Sequence, residues 1–268
     1  GEFMKLTILG TGNAMVTKCY NTCFAIEQND EYFLVDGGGG NQILSQLEKA
    51  NIDWKKIKNI FVTHKHIDHI TGIIWLVRVF TQNMSRGTFD KEVNLYAHSE
   101  LIKIITDIAT MLLQPKQIDY IGKKFHLISV EDGDEVTILG NKVKFFDIHS
   151  TKAKQFGFTM YYGKDKLTCC GDEPYNEVEK EYVQDSTYLL HEAFCLYEDR
   201  EKFHPYEKHH STVKDACILA EKLNVKNLIL YHTEDKNITN RKELYTKEGK
   251  EFYSGNLYVP DDLEVFNL

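Results

Sequence analysis

The chain has 268 residues, of which 42% are hydrophobic, and it carries a formal net charge of −8 at pH 7. This length and hydrophobic content suffice for one packed domain, and the four prolines and the absence of low-complexity tracts exclude an obvious linker. The negative charge opposes long-range attraction to a polyanion and so argues against a dedicated nucleic-acid-binding protein. We predict one domain over residues 4–268 and interpret residues 1–3, which precede Met4, as a cloning remnant.

Cysteine usage and hydropathy predict the compartment. Six cysteines are present, none in CxxC spacing and one pair adjacent (Cys169 and Cys170), which is not a disulfide framework. We therefore predict free thiols and a reducing, cytoplasmic location. We also predict no membrane association, because we find neither a signal-peptide core nor an apolar run long enough to span a bilayer.

The most informative segment follows the apolar strand Ile60–Val62. It places four strong metal ligands inside six residues, directly before a helical apolar repeat. These ligands are His64, His66, Asp68 and His69. Imidazole nitrogens and carboxylate oxygens are the donors that Zn²⁺ prefers, so the segment predicts a metal site at the carboxyl end of a strand. The alternative is a solvated histidine-rich loop.

The spacing of these ligands indicates two ions. His64 and His66 are two residues apart, so in extended backbone they point to the same side and can share one ion. Asp68 and His69 come at the turn into the next helix, which suits a second ion. A two-metal site has a metal separation of about 3.5 to 4 Å and usually a bridging oxygen ligand. Further ligands must therefore come from distant parts of the chain.

Four later elements can be predicted from the pattern of apolar residues and turns. They are a strand over Asn94–His98, an outer helix over Glu100–Leu113, a hairpin of Phe156–Tyr162 and Leu167–Cys170, and a helix over Val213–Leu223 with Ser211 as its N-cap. The apolar face of the first helix is wide enough for core or dimer packing. Four lysines around the hairpin either hold a phosphate or protect a solvated edge: Lys152, Lys154, Lys164 and Lys166.

Residues 194–208 form a loop in which four aromatic residues alternate with charged ones. If this loop folds over the metals, a ring could stack on a nucleobase. The alternative, which we prefer, is that the aromatic residues seal the loop to the domain or to a second subunit.

The HxHxDH segment, with the glycine-rich turn after Asp36, resembles the metallo-β-lactamase superfamily. Its three remaining ligand positions match His149, Asp172 and His232, each of which follows an apolar run. The resemblance implies an α/β fold, the metallo-β-lactamase αββα sandwich of two mixed β-sheets flanked by helices. It implies two divalent metal ions, zinc in the first place, with manganese, iron or nickel as alternatives.

The resemblance also assigns the ligands. By analogy, one ion is held by His64, His66 and His149, the other by Asp68, His69 and His232, with Asp172 bridging the two.

Two further stretches are similar to the ribonuclease Z branch of the superfamily. Leu190–Phe194 is similar to its HEAT motif, and His209–Thr212 to its HST motif. The resemblance implies that Glu192 accepts a hydrogen bond from His210, which donates a proton to the leaving alkoxide, while Asp68 orients the nucleophile. The structural alternatives are that His210 merely precedes the N-cap and that Glu192 is a surface or capping carboxylate.

The resemblance predicts a dinuclear-metal-dependent phosphodiesterase, in which hydroxide held by the metals attacks phosphorus. Its substrate would be an RNA 3′ end or a small or cyclic phosphodiester. Ribonucleases Z that grip tRNA usually carry a long arm between the third histidine and the bridging aspartate, and here only the hairpin fills that gap, which puts tRNA in doubt. The alternative is a carbonyl-directed hydrolase (lactonase, thioesterase or β-lactamase-like), and a second is a non-enzymatic binding protein. A homodimer is expected.

Overall fold

A computed structural model describes residues 3–268 of the chain. Gly1 and Glu2, which belong to the expected cloning remnant, lie outside the described residues. Within the described range, no helix has both the length and the apolar character needed to cross a membrane.

Fourteen strands and eight α-helices lie in the described range. The strands are β1 (Lys5–Gly10), β2 (Cys23–Gln28), β3 (Glu31–Val35), β4 (Ile57–Phe61), β5 (Val93–His98), β6 (Phe125–Val130), β7 (Glu135–Ile138), β8 (Asn141–Asp147), β9 (Phe156–Tyr162), β10 (Asp165–Cys169), β11 (Tyr188–Glu192), β12 (Asn227–Tyr231), β13 (Asn256–Tyr258) and β14 (Val265–Asn267). The helices are α1 (Gln42–Lys49), α2 (Ile67–Arg86), α3 (Ser99–Leu112), α4 (Pro115–Ile118), α5 (Lys180–Val183), α6 (Arg200–Phe203), α7 (Val213–Lys222) and α8 (Arg241–Lys250).

The chain divides into two compact units, and unit 1 comprises the described part of Gly1–Gly10, Tyr20–Glu131 and Leu263–Leu268. Its seven-stranded sheet has the order β14-β1-β2-β3-β4-β5-β6, antiparallel up to β3 and parallel from β3 onward. Helix α2 presents Ile73, Val77 and Phe80 to the core of this unit, which also contains residues of the central strands. Burial of this apolar stripe fixes α2, and with it the two ligands in its first turn.

Unit 2 comprises Thr11–Cys19 and Asp132–Asp262. Its seven-stranded sheet has the order β13-β12-β11-β10-β9-β8-β7, with parallel pairs from β13 to β10 and antiparallel pairs from β10 to β7. Helix α7 packs Val213, Ala216 and Ala220 into a core with residues of β11 and β12. The predicted fold class, two mixed sheets flanked by helices, is therefore confirmed.

The predicted elements are present with small shifts at their ends. The first hairpin strand is Phe156–Tyr162 as predicted, whereas the second begins two residues earlier, at Asp165. The predicted N-cap Ser211 is wrong: the cap of α7 is Thr212, whose hydroxyl accepts a hydrogen bond from the amide of Asp215. Ser211 is not available as a cap because its amide and hydroxyl both bind Glu192.

Candidate metal centre

The predicted metal ligands of unit 1 lie between β4 and the first turn of α2. His64 and His66 are in the extended segment after β4, and Asp68 and His69 are in α2 itself. Three of the four side chains are almost fully buried: His64, Asp68 and His69. Their donor atoms converge, since Nε2 of His64 is 3.0 Å from Nδ1 of His66, and Nε2 of His69 is 3.2 Å from Oδ2 of Asp68.

Asp36, which follows β3, anchors this ligand set. Its Oδ2 is 2.8 Å from Nδ1 of His69 and accepts a hydrogen bond of 2.8 Å from the hydroxyl of Thr63. Its Oδ1 accepts from the amide of Thr63, also at 2.8 Å. The Thr63 hydroxyl in turn lies 2.9 Å from Nδ1 of His64. One buried carboxylate thus orients two imidazoles, one directly and one through a hydroxyl.

The donor chemistry of this set fits a divalent metal ion. Because the Thr63 hydroxyl donates its hydrogen bond to Asp36, it accepts a hydrogen bond from Nδ1 of His64, and Asp36 accepts one from Nδ1 of His69. Both imidazoles then carry their proton on Nδ1 and direct the lone pair of Nε2 at a ligand. A hydrogen bond from the second ring nitrogen to a carboxylate or similar acceptor is the usual support of metal-binding histidines.

A close approach between α2 and the glycine-rich turn sets the position of Asp68 and His69. The amide of Gly37 donates to the carbonyl of His69 at 3.1 Å, and the amide of Gly72 donates to the carbonyl of Gly38 at 2.9 Å. A Cβ at position 72 would come within 1.9 Å of the carbonyl oxygen of Gly37. Glycine at 72 is therefore required for α2 to lie this close to the turn.

The ligands of unit 2 are far apart in sequence, and the ends of strands bring two of them together. Asp172 follows β10 and His232 follows β12, and both are buried. Oδ2 of Asp172 is 3.3 Å from Nε2 of His232. These two side chains therefore direct their donor atoms at the same place, as two ligands of one ion do.

Gln155 holds the carboxylate of Asp172 in position. Its side-chain amide donates to Oδ1 of Asp172 at 2.8 Å, and its carbonyl accepts from the backbone amide of Asp172 at 2.9 Å. Gly171 makes this possible, since its φ is +65° and a Cβ there would lie 2.0 Å from the Gln155 side-chain oxygen. Oδ2 of Asp172 is left on the side of His232.

His149, the third predicted ligand in unit 2, follows β8 and is exposed. Its backbone has φ = +59°, and its amide donates to Oδ1 of Asp147 at 2.8 Å. Within the described residues it belongs to none of the groups of three or more donors that could hold an ion. Ligation by His149 therefore stays a prediction.

Glu192 and His210 lie close enough for an ion pair, and the hydrogen bond predicted between them stays a prediction. Oε2 of Glu192, at the fully buried end of β11, lies 3.3 Å from Nδ1 of His210. Oε1 accepts hydrogen bonds from the amide (2.6 Å) and the hydroxyl (2.9 Å) of Ser211. Glu192 is therefore neither a surface residue nor a helix cap.

The His210 ring is fixed by stacking as well as by Glu192. It stacks on Phe194 at 4.7 Å between centroids, and its centroid is 5.4 Å from that of His232. With Nδ1 directed at Glu192, Nε2 is the nitrogen that faces away from the buried carboxylate.

Three histidines outside the predicted ligand set have structural partners. His98 caps α3 by accepting a hydrogen bond from the amide of Leu101 at 3.2 Å, and His126 lies 2.8 Å from Glu92. His191 lies 2.7 Å from the carbonyl of Glu192, and burial lowers its pKa, which favours the neutral ring. All six cysteines are free, and burial raises the pKa of the Cys19 thiol to about 11.

Three supporting residues, Asp36, Thr63 and Gln155, were given no role from the sequence. Asp36 was noted as part of the glycine-rich turn, and its position directly after a strand was a usable signal for a buried acid near the site. Thr63 and Gln155 carried no signal, because their contacts depend on strands and turns that are separate in sequence.

Comparison with known proteins identifies the family. A profile of the family described as "Anti-Pycsar protein Apyc1" matches residues 4–252. The chain belongs to this family. The match covers both the HxHxDH segment and His232, so it contains every predicted ligand.

Individual relatives from the sequence and structure comparisons support the fold and the branch. Ribonuclease Z of a Bacillus cereus strain is 25% identical over 312 residues, covering 98% of this chain and 99% of the relative. The metallo-β-lactamase fold protein YhfI of Bacillus subtilis has a TM-score of 0.78 at 17% identity, covering 99% of this chain and 100% of that one. The short form of human tRNase Z has a TM-score of 0.73 at 19% identity, with 98% of each chain covered.

These findings confirm the superfamily and branch predicted from the sequence, although the residues did not lead to the Apyc1 family itself. The chain is a metal-dependent hydrolase of the metallo-β-lactamase fold, in the ribonuclease Z-like branch.

Proposed function

We propose that the ligand sets of both units serve one dinuclear centre that hydrolyses phosphodiesters. One ion would be held by His64, His66 and His149, the other by Asp68, His69 and His232, with Asp172 as the bridge. Family membership, the order of the ligands along the chain and the donor atoms presented by each unit support this assignment. When bound, two divalent ions make hydroxide available near neutral pH and neutralise charge on phosphoryl oxygens.

The observation that supports phosphodiester hydrolysis is the contact between Glu192 and His210. Oε2 of Glu192 is 3.3 Å from Nδ1 of His210, which leaves Nε2 to present a proton to a leaving group. An alkoxide leaving group needs such a proton, whereas a thiolate does not, so this contact argues against a thioesterase. A lactone also releases an alkoxide, and the substrate screen below separates it from a phosphodiester. Asp68 would orient the nucleophile in addition to binding metal.

Within this class we propose a small or cyclic phosphodiester rather than tRNA. The alignment with ribonuclease Z spans 312 positions against a chain of 268, so that relative contains residues that have no counterpart here. The segment between His149 and Asp172 holds only the hairpin of β9 and β10. In unit 2, a cavity of about 420 Å³ beside His210 and His232 is lined by Phe194, Phe203 and other residues, which is a usual size for a small-molecule pocket.

The same proposal includes zinc as the native metal, one functional domain over residues 4–268, and a homodimer in the cytoplasm. Free cysteines support a reducing compartment. Exposed Met111 and Leu112 near the end of α3 support a contact with a second subunit.

The deciding experiment is a substrate screen on purified protein whose metal content has been measured. We expect two ions per chain and turnover of cyclic nucleotides or another small phosphodiester, with weaker or no cleavage of pre-tRNA 3′ ends. Turnover of a lactone panel in preference to phosphodiesters would favour the carbonyl-directed alternative. Robust hydrolysis by metal-free protein would refute the proposal. A stoichiometry of three would indicate an ion among Glu192, His210 and His232, whose donor atoms lie within 4.8 Å of one another.

A further inference from the structure

A buried carboxylate outside the predicted ligand set organises two basic side chains in unit 2. Glu173, the residue after Asp172, is 1% exposed. Its Oε1 accepts a hydrogen bond of 2.6 Å from the hydroxyl of Ser150 and lies 3.7 Å from Nζ of Lys152. Its Oε2 lies 3.3 Å from Nε2 of His209. Burying a carboxylate is unfavourable unless it is paired, so this group depends on its basic partners.

The Lys152 ammonium is held at a defined place. Besides Glu173, it contacts the carbonyl of Lys208 at 3.2 Å and Nε2 of His210 at 3.4 Å. Its backbone amide donates to the Ser150 hydroxyl at 3.2 Å, which ties the start of the side chain to the same cluster. Two of these contacts, to the Lys208 carbonyl and to His210, are within hydrogen-bond distance, whereas the Glu173 carboxylate at 3.7 Å pairs with the ammonium by charge. The side chain is nevertheless 30% exposed, so a ligand can reach it.

During catalysis, the contact between Lys152 and Nε2 of His210 must give way to another contact. If Nε2 of His210 carries the proton for the leaving group, it cannot also accept a proton from Lys152. The N–H of Lys152 that faces His210 then needs another acceptor within reach of the same position. The group that lies beside the leaving oxygen in a phosphodiester is a non-bridging phosphoryl oxygen, which carries negative charge and favours a charge-assisted hydrogen bond.

We propose that Lys152 binds a non-bridging oxygen of the phosphoryl group under attack and that Glu173 is the positioning residue that holds it there. This inference rests on the proposed phosphodiesterase function. His209 completes the arrangement: its backbone has φ = +57°, and Nε2 of its ring lies 3.3 Å from the second oxygen of Glu173. One oxygen of Glu173 thereby faces Lys152 and the Ser150 hydroxyl, and the other faces His209.

The test uses metal-loaded protein and bis(p-nitrophenyl) phosphate, which has a single phosphorus atom. We expect Lys152→Ala to lower kcat/KM by about 10- to 100-fold, as expected for loss of a hydrogen bond between charged groups. Glu173→Gln should raise KM more than it lowers kcat, with metal content unchanged. The double variant should be no worse than Lys152→Ala, because Glu173 acts through Lys152. Lys164→Ala, which removes the same charge from the turn between β9 and β10, is the matched control and should behave as wild type.

A second readout does not require turnover. Binding of inorganic phosphate to the metal-loaded protein, measured by calorimetry, should weaken about 10-fold or more in Lys152→Ala and not in Lys164→Ala. Wild-type protein that binds phosphate through Lys152 but hydrolyses no phosphodiester would contradict the proposed function and would leave Lys152 as a phosphate-binding residue only.

Three results would overturn the assignment to the phosphoryl group under attack. They are wild-type kinetics and phosphate affinity in Lys152→Ala, equal losses in Lys164→Ala, and a loss confined to substrates that carry a second phosphate, such as a 5′-phosphorylated dinucleotide.

Discussion

The two units present metal ligands in opposite ways. Unit 1 supplies four predicted ligands from one segment, His64 to His69, whereas the predicted ligands of unit 2 are spread from His149 to His232. Buried acids are distributed unevenly as well. Among the described residues, unit 1 buries two, Asp36 and Asp68, and both belong to its ligand cluster. Unit 2 buries six: Asp172, Glu173, Glu179, Glu192, Glu234 and Asp235.

This difference separates two tasks. The two buried carboxylates of unit 1 lie among its predicted metal ligands: Asp68 is one of them, and Asp36 orients two of the imidazoles. In unit 2, Glu192 contacts His210 and Glu173 contacts Lys152, so buried charge there positions side chains that act on substrate in our proposal. The predicted metal ligands of unit 1 come from one compact segment. The predicted ligands of unit 2, and the groups that we propose to donate a proton and bind substrate, come from distant segments that meet only in the folded unit.

The largest effect should come from removing one ligand from each unit. We expect His64→Ala and Asp172→Ala each to lower phosphodiester hydrolysis by at least about a thousandfold, because bound metal contributes several kcal/mol to transition-state stabilisation. Steady-state rates and metal content would be measured together. His126→Ala, which removes an imidazole of unit 1 paired with Glu92, is the control. Loss of metal and activity in one variant only would break the idea of a centre shared by both units.

A smaller effect should distinguish Asp36, which supports the histidines of unit 1, from Gln155, which supports Asp172 in unit 2. Asp36→Asn should lower zinc affinity by about 10- to 100-fold, the usual cost of losing a carboxylate that supports ligating histidines. Gln155→Leu should cost about tenfold or less, since it removes neutral hydrogen bonds to Asp172. Competition with a chromogenic chelator would measure both affinities. An equal or larger loss in Gln155→Leu would show that unit 2 does not have the weaker anchor.

The smallest effect concerns the stability of the folded protein and tests the protonation state of Glu179, a buried acid of unit 2. Burial raises the pKa of Glu179 to about 8. Between the ordinary carboxyl pKa and 8, the unfolded chain ionises this group while the folded chain keeps it protonated, so wild-type stability falls as pH rises through that window. Glu179→Gln should therefore be more stable than wild type by about 1 to 2 kcal/mol at pH 7.

Urea unfolding of metal-loaded protein at pH 5 and pH 8 would check this prediction. The stability advantage of Glu179→Gln should grow between pH 5 and pH 8. Glu177 is an exposed acid two residues before Glu179, and Glu177→Gln should show no such trend. A pH-independent difference would mean that Glu179 is ionised in the folded protein.

The sequence was sufficient for features that depend on neighbouring residues. The ligand cluster of unit 1, the strand before it, helix α2 after it and the hairpin of β9 and β10 all follow from local periodicity and spacing. The mistaken cap at Ser211 shows the limit, because a long-range contact with Glu192, 19 residues away, overrides a good local cap. In unit 2, Asp172 and His232 could be found only through resemblance to a family.

Supporting contacts were the least predictable part of the site. Asp36 and His69 are 33 residues apart, and Gln155 and Asp172 are 17 apart. No periodicity links such pairs, and their partnership exists only because particular strands are neighbours. Lys152 was noted as one of several lysines near the hairpin, but the sequence gave no reason to prefer it over Lys164.

Left-handed backbone at the candidate site restricts which replacements are informative. Asp36, His149, His209 and His232 all have φ between +57° and +61°. Aspartate, asparagine and histidine tolerate this conformation better than other non-glycine residues, and branched side chains tolerate it worst. An alanine or valine at His232 would thus change the path of the chain as well as delete a ligand. His232→Asn is therefore the better variant for testing loss of the ligand alone. In laboratory evolution, these four positions should accept only a few residue types.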